Sequence, residues 1–386
     1  MLSNRKRYIQ AALETTYGTD AVPTATIQCG DITIKPLAGN ATERKIIRPE
    51  FGGFGSIRTE NYVTLSFSCE FAGAGSAGSA PPWGVLLKGC NFSETLTASA
   101  ITGTAQVGGS TTSIKLASGA SAEDDFYVGM TVSITGGTGN GQKGEIIDYN
   151  GTTKVATVAV PWAVAPIGDS TYSIGANALY IPNSSFGTAG NSSLSLYFGV
   201  DGVRHILLGA RGTVKPSVSA KKLTEMTFEF TGLLGTIADV SSPTTDFSAW
   251  QTPQTVSTAN TTDINILGFT GAVLEMFDVD ISNTVVYRQL VGAESVLITD
   301  RRTKGSIQIE ATTIAAKDWW TFAKNASYGP ICIKHGQTPG NIVGITGPHV
   351  QLENPDYAES DGVAMLKADL SFVPVAGNDE IRICAK

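Results

Sequence analysis

The chain has 386 residues, of which 42% are hydrophobic and only 16% charged, with 43 glycines and a formal net charge of −7. This composition excludes disorder, and it excludes wrapping of nucleic acid, which needs clustered Lys and Arg. No apolar run reaches the roughly 18 residues of a membrane helix, and the start MLSNRKRYIQAALETTYG has no apolar stretch of the kind that marks a signal peptide.

Past this start, residues 39–60 mix Arg44, Lys45, Arg48 and Arg58 with Ile46, Ile47, Phe51 and Phe54, and their Gly pairs oppose regular structure. Residues 61–71, NYVTLSFSCEF, alternate: Leu65, Phe67, Cys69 and Phe71 fall on one side, Thr64, Ser66, Ser68 and Glu70 on the other. A Gly/Ala/Ser spacer follows, then PPWGVLLKG, a short helix opened by proline and carrying Trp83. Residues 97–176 contain short strand patterns separated by Gly and Asn turns, and form a small inserted all-β domain. Next come two strands across an Asp201–Gly202 turn and a last alternating strand, in which Met226, Phe228 and Phe230 oppose Glu225, Thr227, Glu229 and Thr231. A polar stretch, 241–262, reads as a linker.

Residues 263–386 repeat the order. A segment with Arg288, Asp300, Arg301 and Arg302 precedes the strand KGSIQIEAT, in which Ile307 and Ile309 oppose Ser306, Gln308, Glu310 and Thr312. A helix with Trp319 and Trp320 follows, then two strands across a Pro339–Gly340 turn. In the closing strand Leu366, Ala368, Leu370 and Phe372 oppose Lys367, Asp369 and Ser371. The expected fold is therefore mainly β: two tandem β-sandwich units, each with a short flanking helix. Residues 1–96 and 177–240 make the first, 263–386 the second, and 97–176 hang from the first. The matching positions of Trp83, Trp319 and Trp320 in the two helices mark them as core anchors and not as sugar-stacking platforms.

Chemistry-bearing motifs are weak. Gly139, Gly141 and Gly144 fit GxGxxG, but a strand and not a helix follows, so the reading is a Gly hairpin. Glu123, Asp124 and Asp125 lack EF-hand spacing, and Asp278 and Asp280 share a strand face without a convergent cleft. Trp162 fits the core of the inserted domain. The five cysteines and three histidines are scattered without metal-ligand spacing, as expected for reduced thiols and no zinc. No catalytic, cofactor or metal residue is expected, and the chain reads as a structural protein and not an enzyme.

Three stretches carry a family resemblance: ETTYGT at residues 14–19, SAPPWGVLLKGCNFSE, and DGVRHILLGARGTVKPSVSAKKLTEMTFEFTGLLG. Together with NDEIRI near the end they resemble the major tail tube proteins of long-tailed bacteriophages, in the form that fuses two units. The resemblance implies a virion protein made in the host cytoplasm, self-assembling into stacked rings around a channel for DNA ejection. Its implied partners are further copies of itself, with three chains giving pseudo-sixfold rings and six chains the alternative, together with tail tip, terminator and tape measure proteins. On that reading Ser66, Ser68, Glu70, Glu225, Glu229, Gln308, Glu310, Lys367 and Asp369 line the lumen. Arg44, Arg48, Phe51, Phe54, Arg58, Arg288, Arg301 and Arg302 sit in loops between rings, and the inserted domain decorates the outside. The competing class is a β-sandwich adhesin that binds glycans or a cell surface.

Overall fold

Apolar residues at every second position build antiparallel strands whose apolar faces meet in one core, as the computed structural model of the chain, describing residues 1–187 and 192–386, makes explicit. Eight of these strands lie side by side: Gly30–Ala38, Tyr62–Glu70, Glu225–Asp239, Val203–Ser219, Leu274–Asp280, Lys304–Glu310, Val363–Phe372 and Val343–Ser360. Every neighbouring pair is antiparallel. The predicted apolar rows are buried: Leu65, Phe67, Cys69, Met226, Phe228, Phe230, Ile307, Ile309, Leu366, Ala368, Leu370 and Phe372 all lie in the core.

The fourth and eighth of these strands are long and change partners along their length. The first part of Val203–Ser219 pairs with Leu194–Val200, which in turn pairs with Arg7–Leu13. The first part of Val343–Ser360 pairs with Tyr328–His335 and with Arg382–Ala385. A second layer thus faces the eight-stranded sheet across the core. Turns lie where positive φ is accessible, at Asp201–Gly202 (φ 41° and 100°) and at Gly340 (φ 87°).

Two short helices plug the core. Gly84–Gly89 follows Trp83, whose indole packs against Phe71 and Tyr180 and donates to Ala72 O at 2.7 Å. Trp319–Lys324 is capped by Asp318, which accepts from Thr321 N at 2.9 Å, and Trp319 donates to Thr312 Oγ1 at 2.9 Å. Trp83 and Trp319 are almost fully buried, as their matching positions imply. Trp320 stays half-exposed against Tyr357.

Between Ile101 and Ile174 seven strands form a separate sheet with its own core, in which Trp162 is buried. The GNGQKG segment turns between the paired strands Thr131–Gly136 and Lys143–Asn150. Asp124 holds a turn by accepting from Gly151 N at 2.7 Å. The stem of this domain departs from simple sequence order. Asn177–Pro182, which sequence reading groups with the first segment, pairs with Phe92–Thr97 on one side and with the C-terminal strand Arg382–Ala385 on the other. Stem and C-terminus therefore continue the sheet of the last third of the chain. A buried charge cluster closes that seam: Glu145 of the inserted domain meets the ammonium groups of Lys386 and Lys334, and Lys334 also meets Asp263.

Candidate assembly surface

The polar rows of the eight strands form one continuous face. Across its first half, Glu70 stands opposite Glu225, Ser68 opposite Thr227, and Ser66 opposite Glu229. Across its second half, Gln308 stands opposite Lys367, Ser306 opposite Asp369, and Glu310 opposite Met365. Glu225, Glu229, Glu310, Lys367 and Asp369 are exposed, Ser66, Glu70 and Gln308 are half-buried, and Ser68 is buried. Partial burial, and then the Glu225 carboxylate, push the Glu70 carboxyl above its ordinary range. Lys215 sits between acids of both halves, 3.2 Å from Glu229 and 3.7 Å from Asp280, and so ties them electrostatically.

The halves are joined by backbone. Ser217, Val218 and Ser219 pair with Asp278, Phe277 and Met276. At the two ends of the sheet the ladder stops. Among the described residues Gly30–Ala38 pairs with Tyr62–Glu70 on one side only, and residues 352–360 pair with Val363–Phe372 on one side only. Such edges expose rows of unpaired N–H and C=O groups and favour addition of another strand.

Two arms leave the sheet at corresponding points, each between the first and second strand of a four-strand set. The second arm is the hairpin of Asn283–Leu290 and Ala293–Arg301. It folds back over the first four strands. Asn283 Nδ2 donates to Cys90 O (2.8 Å) and Gly212 O (3.0 Å), Arg211 Nη1 donates to Val296 O (2.6 Å), and Val296 N donates to Tyr17 Oη (2.6 Å). Tyr62 and Tyr287 pack ring to ring at 4.7 Å. Arg301 is enclosed, donating to Glu380 Oε1, Asn183 O and Asn378 Oδ1, whereas Arg288 and Arg302 are exposed. The tip, Leu290 and Val291, is exposed.

The first arm is different. Its strands Ala41–Glu43 and Ser56–Arg58 pair only with each other, and every residue from 41 to 58 except Phe54 is exposed. Arg48 lies over the Phe54 ring at 4.7 Å, and Arg58 Nη2 fixes the base by donating to Ala38 O at 2.8 Å.

Sequence reasoning missed the residues that hold the second arm down. Glu14 accepts from Gly18 N, Ser193 Oγ, Ser195 Oγ and Gly209 N at 2.7–3.0 Å, which stiffens the loop that presents Tyr17. The signal was the ETTYGT stretch itself, where a Glu and a Tyr precede a turn glycine, Gly18, at φ 71°.

The family described as phage tail tube protein matches residues 4–374. The chain belongs to the phage tail tube protein family. No curated protein matches it. This tail tube protein is accordingly a structural component of a virion tail, mainly β in fold. Among its described residues no group of three or more His, Cys, Asp or Glu side chains is placed to hold a metal ion, and no helix is long and apolar enough to cross a membrane.

Proposed function

We propose that each chain contributes two tail-tube units to a ring of three chains, that rings stack into a tube, and that viral DNA leaves through the lumen. The observation that carries this reading is the eight-stranded sheet, unbroken across the chain yet unpaired, among the described residues, at both outer edges. Within the chain the first four strands already join the last four edge to edge. The same joint between the 352–360 edge of one chain and Gly30–Ala38 of the next would close a barrel, the arrangement that removes free edges altogether. The polar row with Glu70, Glu225, Glu229, Glu310 and Asp369 then faces the lumen. A wet, mostly acidic wall repels phosphate, whereas Lys and Arg contacts would add sequence-independent affinity and slow passage. Tail tip, terminator and tape measure proteins would meet the ends and the bore of such a tube, and no catalysis is assigned to it.

Negative-stain images of the purified protein test assembly, with hollow rods expected; dispersed monomers would favour the adhesin reading. Lumen function is tested by replacing Glu225, Glu229 and Asp369 with Lys. Rods are expected to persist and DNA ejection to slow, and unchanged ejection would overturn the lumen assignment.

A further inference from the structure

The ladder defines two transverse rows on the polar face. One runs Thr33, Ser66, Glu229, Thr213 across the first four strands. The other runs Asp278, Ser306, Asp369, Glu353 across the last four. Position for position they correspond, and so do the flanking pairs Lys35–Thr64 and Asp280–Lys304. Each row floors a cavity. Over the first row the cavity is small, and Val285 of the second arm is part of its wall. Over the second row only the base of the second arm, residues 298–301, reaches the rim, and the floor belongs to a wide open trough bounded by residues 183–186, 299–303 and Glu380.

Three residues that line this trough carry buried polar atoms, Asp278 Oδ1, Thr303 Oγ1 and Glu380 Oε2, with no hydrogen-bond partner among the described residues. Buried polar atoms are nearly always paired, so these three call for a partner, an ordered water or a group of another chain, that the described residues do not supply. Among the charged groups that line the trough, Arg301 pairs with Glu380 and Lys215 with Asp280. This leaves Asp278, Asp300, Glu353 and Asp369 as the acids outside those pairs, with the cations Arg302 and Lys304 beside them.

We infer that the occupant of this trough is the first arm, residues 41–58, of a second copy of this chain. The inference rests on the ring reading above and adds to it the contact that locks neighbours laterally. The second arm covers the four strands that precede it. No four-strand set precedes the first arm among the described residues; in a closed ring that place is taken by the last four strands of the next chain. Its chemistry matches the trough: Arg44, Lys45 and Arg48 are exposed and make no ion pair among the described residues, and Ile47 and Phe51 are fully exposed apolar groups. Charge complementarity selects the partner, and burial of the apolar pair supplies the holding force. The arm thus acts within a ring, which replaces the contact between rings that its composition alone suggested.

The test places a benzophenone amino acid at Phe51 in the full-length chain and irradiates assembled rods. Adducts on residues 299–306, Glu353 or Asp369, with a covalent ladder that stops at three chains, support the inference. Adducts elsewhere, or a ladder running past three chains, overturn it in favour of contact between rings. A second variant keeps the two levels of the account apart. Counting along the corresponding rows, Ser217 and Asp278 of the internal joint match Ala358 and Thr33. Thr33→Cys with Ala358→Cys, in a Cys29→Ser background, is expected to form a disulfide between chains. If that bond forms while Phe51 adducts fall elsewhere, only the arm inference fails. Without that bond the ring reading fails, and the inference with it.

Discussion

Replacing Asn283 with Ala should loosen the docking of the second arm without unfolding the chain. Asn283 is buried, and its side-chain amide donates two hydrogen bonds, to Cys90 O at 2.8 Å and Gly212 O at 3.0 Å. Each such bond contributes about 1 kcal/mol net, and a carbonyl left buried without a donor adds to the loss, so docking of the arm should weaken by about 2–3 kcal/mol. The backbone bond from Asn283 N to Thr213 Oγ1 survives the substitution, as do the Tyr17 and Arg211 contacts with Val296, so the hairpin should open locally and not detach. A loss of about 2 kcal/mol raises the open population roughly 30-fold, and amide exchange reports it directly. Exchange in Ala293–Arg301 should accelerate by that factor while Tyr62–Glu70 is unchanged. Unaltered exchange in the hairpin, or equal acceleration in both segments, would refute the anchoring role.

Further outcomes follow from the same geometry. Because Glu70 has a raised pKa when folded, its ionised form is penalised; the penalty is absent below the unfolded value and grows as pH rises through the folded one. Glu70→Gln should therefore raise stability at neutral pH by up to about 1 kcal/mol, the scale of like charges facing across strands, and the gain should vanish near about pH 4. Thermal midpoints at the two pH values check this, and an equal gain at both would contradict it. Trp83→Ala removes a buried indole with its bond to Ala72 O, and urea unfolding should show a loss of about 4 kcal/mol. Lys386→Met leaves Glu145 with only Lys334, 3.8 Å away, as a cationic partner and should cost about 3 kcal/mol, read as early melting of the inserted domain by tryptophan fluorescence at Trp162.

Much of the eight-stranded sheet was legible in the sequence because strand alternation is local. Residues 62–70 and 225–231 announce their buried and polar sides in single-residue steps, and the Trp-bearing helices recur after corresponding strands. Position along the chain could not show which strands become neighbours. The joint of Ser217 with Asp278 links residues on either side of a long linker, and nothing in either strand specifies the other. The C-terminal strand is similar: RICA reads as a generic apolar end, yet it bridges the stem of the inserted domain to Val343–Ser360. The arms show the same limit. Both read as exposed, basic loops, and only the backbone shows that one is clamped through Asn283, Tyr17 and Arg211 while the other projects freely from its base at Arg58.

The joint between chains is tested most directly by an electron cryomicroscopy map of assembled rods at a resolution that separates strands. The account predicts three chains per ring and a hydrogen-bonded wall in which residues 352–360 of one chain run antiparallel to Gly30–Ala38 of the next, with Glu70 and Glu310 facing the bore. Six chains per ring with the last four strands outside the wall, or edges that remain unpaired between neighbours, would contradict it.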